Sequence, residues 1–138
     1  MNKTCKALLW IAALAATSGA SAHVAKHKGI TIVHPWVAPS GDVVPAETAV
    51  YMKITNTGKA PDRLLSASSP RAAKAEIRGS DQPDARAVVS VELRPGQETR
   101  PNVRLLGLNK PLTTYDTFPM TLVFEKAGRF DIEVMVEE

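Results

Sequence analysis

The sequence predicts a small all-β domain, a sandwich or barrel with Greek-key connections. Three observations carry this. Apolar and polar residues alternate with period two in one segment after another. The segments end at Gly, Pro or Asn. No stretch keeps a 3.6-residue apolar period long enough for an amphipathic helix. Roughly eight short strands, spaced about 8–12 residues apart, suit two packed sheets.

Taken in order, Ile30–Val33 begins the sheet. Thr48–Asn56 sets Val50, Met52 and Ile54 on one face and stops at Thr57-Gly58. Arg63–Ser69 is closed by Pro70, and residues 70–74 make a single turn at most. Lys74–Arg78 is short. Ala87–Leu93 is stopped by Pro95-Gly96, and Val103–Leu108 follows. Met120–Glu125, the turn Lys126-Ala127-Gly128 and Phe130–Val136 form the strongest hairpin signal. In that last strand Phe130, Ile132, Val134 and Val136 face one way, and Asp131, Glu133 and Met135 the other. The expected core includes Val50, Ile54, Leu122, Phe124, Phe130 and Val134. Residues 39–45 and 79–86 read as loops.

Residues 1–22 read as a secretory signal. Lys3 and Lys6 precede the apolar run 7–16, and Ala20-Ser21-Ala22 fits a small-residue cleavage site. Ten apolar residues fall short of the about 20 that span a bilayer. The sole cysteine, Cys5, precedes the run and is not placed for lipid attachment at the cleavage site. Cleavage after Ala22 leaves residues 23–138 as one domain in the periplasm, with no stable membrane anchor. That domain has 116 residues, 138 less 22, and no cysteine. Such a chain is held by its core, without a disulfide. Cleavage after Ala20 is the alternative.

Charge excludes some partners. The 17 Lys and Arg face 14 Asp and Glu, and losing Lys3 and Lys6 leaves 15 against 14. The cations form no stripe, so nucleic acid is not an expected partner. Enzyme chemistry finds no support either. No G-x-S-x-G or P-loop pattern occurs, no histidine lies beyond position 34, and the carboxylates are scattered. No catalysis is expected.

All three histidines lie close to the expected mature terminus. His23 would be its first residue, and a free α-amino group with its own imidazole can chelate one copper ion. His27 or His34 could add a third nitrogen, in the tetragonal arrangement Cu(II) prefers. The plain alternative makes His23–Lys28 a frayed, solvated end, with His34 packed beside Trp36. Methionine offers less. Met52 falls on an apolar strand face, Met120 starts a strand, Met135 lies on a polar face, and no Met-x-Met or His-x-Met spacing occurs.

Several segments in order resemble the periplasmic copper chaperones called PCu(A)C. These are His34-Pro35-Trp36, the stretch Ala49–Gly58, Asp62-Arg63-Leu64-Leu65 with Ala67–Pro70, Leu105–Leu108 with Pro111-Leu112, and Leu122–Gly128. The resemblance runs from about Ile30 to Val136. It implies a cupredoxin-like Greek-key β-sandwich, copper binding, and delivery to an acceptor such as a respiratory oxidase copper centre. The family's ligands are two His and two Met. The resemblance puts the first His at Arg78, its partner Met near Val88 or Val89, and the His-x-Met pair at Asn102-Val103-Arg104. None of these residues is a Cu(I) ligand, and a guanidinium cannot give up its proton to become one. Two readings follow. In the first, a copper chaperone-like protein takes its metal at the N-terminal histidines. In the second, the same scaffold is a non-copper module in which Arg78 and Arg104, with Arg100 nearby, recognise an acidic partner or an anionic ligand.

Overall fold

A computed structural model describes residues 23–138. The signal segment proposed for 1–22 lies outside the described residues. Ten strands run in order: β1 (Val24–His27), β2 (Ile30–Val37), β3 (Glu47–Asn56), β4 (Asp62–Ser68), β5 (Ala72–Arg78), β6 (Val91–Leu93), β7 (Glu98–Thr99), β8 (Asn102–Leu108), β9 (Thr117–Phe124) and β10 (Gly128–Val136). There is no helix among the described residues.

The strands neighbour one another in the order β5-β8-β3-β2-β10-β9-β4-β6, with β1 added on β2 and β7 on β3. Every pairing is antiparallel except β2 with β10, where Trp36 meets Met135 and Val37 meets Val136. A turn at Pro70-Arg71 joins β4 to β5, so the strand path curls back on itself. The result is the Greek-key sandwich that the alternation predicts, curled nearly to a barrel. The expected core residues Val50, Ile54, Leu122, Phe124, Phe130 and Val134 are all buried, with Met52 and Met120 among them. The β9–β10 hairpin closes through a three-residue loop onto Gly128 at φ 74°, a left-handed conformation that suits glycine.

Several elements depart from the sequence expectation: β7 is absent from it, β5 and β9 begin early at Ala72 and Thr117, and the following differ more deeply. Residues 24–27 form a strand rather than a frayed end, in register with 30–33. The stretch Ala87–Leu93 is a strand only from Val91. Its first half crosses between β5 and β4, bridging Arg78 at Ala87, and leaves Val89 92% exposed. Strand β2 continues past Val33 to Val37 through a bulge. From Val33 to Trp36 is three residues, whereas their partners Lys53 and Tyr51 are two apart. The extra residue reverses the alternation, so Ile30 and Ile32 are buried before the bulge and Pro35 and Val37 after it. Trp36 is thereby turned away from the core.

Two buried polar side chains fasten the loops. Asp62 accepts backbone N–H groups from Arg63 at 2.8 Å, Lys126 at 2.8 Å and Ala127 at 3.0 Å. Asn56 donates to the carbonyls of Ala60 and Leu93 at 2.9 and 3.0 Å and accepts from the Gly58 N–H at 3.0 Å. Asp62→Ala strands three donors, and is expected to cost about 3 kcal/mol of unfolding free energy. Urea denaturation measures it. A loss below about 1 kcal/mol would mean that water replaces the carboxylate.

Candidate functional site

The positions to which the resemblance assigns the family's copper ligands come together in space. Arg78 pairs directly with Asn102 across β5 and β8, and Glu76 with Arg104. Ala87 bridges to Arg78, and the Val88 N–H donates to the Ile77 carbonyl at 2.9 Å. Residues 78, 88, 102 and 104 therefore surround one end of the β5–β8 pair. The positions are adjacent, and none carries a side chain of the kind the resemblance expects there.

What stands there is an ionic ladder. Arg78 donates from Nη2 to Glu76 at 3.0 Å and from Nη1 to the Ala85 carbonyl at 2.9 Å. Lys74 Nζ lies 3.3 Å from the other oxygen of Glu76, and Arg104 Nη1 lies 3.7 Å from Glu47. The Lys74 ammonium, then Arg78, hold the Glu76 carboxyl below the usual range against a smaller opposing effect of burial. Asn102 is buried and donates to the Ser80 carbonyl at 2.7 Å. Guanidiniums supply only donors, and their charge repels a cuprous ion. This face does not fit copper.

The histidines are placed apart. The His23 carbonyl accepts the His34 N–H at 2.7 Å, so the main chains of these two residues are adjacent. His27 sits at the opposite end of β1, four residues or roughly 13 Å along the strand. Its Nε2 is 3.2 Å from the Ala127 carbonyl, and its ring leans on Phe130 with centroids 5.3 Å apart. That ring has a structural role. The His34 ring pairs with Glu137. His23 borders a hollow of about 170 Å³ with Pro35, Asp131 and Glu133. Asp131 is already engaged by the Thr121 hydroxyl and then by Arg129, which hold its carboxyl below the usual range. Among the described residues no three His, Cys, Asp or Glu side chains are grouped to hold a metal ion.

A larger feature has no counterpart in the sequence reading. An open cleft of about 560 Å³ is floored by Trp36 and Tyr51 and bordered by His34, Lys53, Asp81 and Arg100. The two rings lie 5.3 Å apart at 34°, a cross-strand pair on β2 and β3. Both aromatics are visible in the sequence, but the bulge that turns Trp36 outward is not.

A curled Greek-key sandwich whose ligand positions for a buried metal gather at one end of β5–β8 is the architecture of a PCu(A)C-type copper-chaperone domain. The model of the LpqE-like family matches residues 30–136, and the chain belongs to that family. Among solved structures, the apo PCuAC domain from PmoF1 is 29% identical, with a TM-score of 0.74 over 83% of this chain and 98% of that one. The copper-bound PCuAC domain from PmoF2 is 26% identical, with a TM-score of 0.71 over 83% of this chain and 97% of that one. The solution structure of Cu(I)-loaded DR1885 from Deinococcus radiodurans is 23% identical, with a TM-score of 0.59 over 89% of this chain and 85% of that one, and shares the fold. No curated protein matches the chain.

The ladder makes a pH prediction. Glu76 has a depressed pKa in the folded state, so its contribution is present above the unfolded pKa and is lost as pH falls through the folded one. Carboxyl NMR titration should find Glu76 below the ordinary glutamate value of about 4.3. Lys74→Ala should raise it more than Arg78→Ala.

Proposed function

We propose that this is an exported, copper chaperone-like protein that takes copper at its mature N-terminus. Membership of a family with copper-bound relatives supports the copper. The observation that carries the site is the His23 carbonyl held 2.7 Å from the His34 N–H. A first residue tied by its carbonyl to β2 is a better chelator than one at a frayed end, because its ordering cost falls on folding rather than on binding. After cleavage at Ala22, the α-amine and ring Nδ1 of His23 form one chelate, and His34, once its ring leaves Glu137, is the first candidate for a third nitrogen. His27 is the weakest candidate, being held by Ala127 and Phe130. Copper leaves by ligand exchange with an acceptor protein in the periplasm, a respiratory oxidase copper centre being the family's kind of target. No covalent catalysis is involved.

A second reading has one observation in its favour. Arg78 and Arg104 set two guanidiniums near one another, 23% and 21% exposed, and Arg104 has only a long 3.7 Å ion pair with Glu47. An anionic ligand or an acidic partner could use what the ladder leaves unpaired. That reading needs no copper.

Copper titration of protein beginning at His23 distinguishes them. Cu(II) in air and Cu(I) under reducing conditions are each run beside His23→Ala and beside a form with one extra residue ahead of His23. Stoichiometric binding lost in both altered forms is the expected result. Binding that survives in both would move the site elsewhere. Binding no tighter than that of an unrelated histidine-containing protein would leave the arginine face as the function.

A further inference from the structure

We propose that the cleft over Trp36 and Tyr51 binds a free aromatic α-amino acid. The inference rests on how the cleft is built and not on copper, although His34 borders both the cleft and the proposed metal site. Its volume of about 560 Å³ falls within the usual range for small-molecule sites, roughly 300–1,000 Å³. The chain has only two Trp and two Tyr. One of each lies side by side on the half-buried outer face of β2 and β3, apart from the fully buried core. Such a floor suits a planar apolar group.

The backbone is shaped to the same end. The bulge between Val33 and Trp36 brings Trp36 into register with Tyr51. It leaves His34 at φ 54°, an unfavourable conformation for a non-glycine residue. The pairing of His34 with Glu137 then fixes its ring as a wall of the cleft. Strain of this kind persists only where the surroundings impose it.

The rim carries both signs of charge. Lys53 and Arg100 lie 3.7 and 3.0 Å from the single carboxylate of Glu98, so two cations share one anion and one positive charge is left over. Asp81, from the 79–86 loop, has no ion pair among the described residues, and its one recorded contact is a 3.4 Å hydrogen bond from Gln82. A ligand with one carboxylate, one ammonium and one ring matches the leftover charges and the floor together. A simple aromatic acid would leave Asp81 unpaired, and a simple amine would leave the cations unpaired.

Calorimetry on metal-free protein, with a chelator present, tests this with four probes. These are phenylalanine, phenylacetate, phenethylamine and alanine. Phenylalanine should bind saturably, each of the others about tenfold or more weaker, as expected for one lost charge-assisted contact or the lost stacking. Lys53→Ala with Arg100→Ala should erase the advantage of phenylalanine over phenethylamine and leave that over phenylacetate. Asp81→Asn should do the reverse. These are surface changes, and unchanged unfolding midpoints would confirm intact protein. No saturable binding of phenylalanine, equal binding of all three aromatic probes, or variants that leave both gaps intact would overturn the proposal. The copper titration does not bear on any of these outcomes.

Discussion

Strand β2 must serve three neighbours, and the rest of the molecule is arranged around how it does so. Its first half pairs with β1 and β3, while at its end Trp36 pairs with β3 on one side and Trp36 and Val37 pair with β10 in parallel on the other. A regular strand could not keep both halves facing the core in this setting. The single inserted residue resolves the conflict. It lets Ile30 and Ile32 fill the core from one parity and Pro35 and Val37 from the other. The aromatic floor, the strained His34 and the junction with β10 all follow from that residue. Removing it would turn Pro35 and Val37 outward and Trp36 inward.

The relation to the PCu(A)C domains is one of retained geometry and replaced chemistry. Strand pairing brings residues 78, 88, 102 and 104 together whatever their side chains, because the register of β5 on β8 is fixed by Ala75, Ile77, Val103 and Leu105 facing the core. The core can therefore persist while the site changes. Where the resemblance would put soft donors, this chain carries a ladder of Lys74, Glu76, Arg78, Arg104 and Glu47. Such a ladder holds the sheet edge together through charge pairs that are individually weak at an exposed surface.

Legibility followed the alternation. Where period two is unbroken, as in Val50-Met52-Ile54 or Phe130 to Val136, the sequence predicts both the strand and its buried face. The positions the resemblance singles out, 78, 88 or 89, 102 and 104, are neighbours only through strand register, which the alternation does not give. Period two fails where pairing rather than pattern decides. Val24–His27 has no clear apolar face, and its strand exists because β2 offers an edge and Phe130 a surface for His27. Ala87–Leu93 has the composition of a strand but spans two sheet edges, so its first half makes only an isolated bridge to β5. The cleft was hidden for the same reason, since a bulge leaves no mark in composition and the adjacency of Tyr51 to Trp36 depends on register.

The parallel pair of β2 and β10 bears on how the chain comes to be folded. Trp36 meets Met135 and His27 reaches Ala127, contacts across about a hundred positions of sequence. Loop closure of that length carries an entropic cost before any reward, and topologies rich in such contacts fold slowly. Until β10 arrives, one edge of β2 at Trp36-Val37 stays unpaired and the barrel stays open. A chain in which β10 has not yet docked therefore lacks the native closure, and the sheet stays a separable ribbon until that strand pairs.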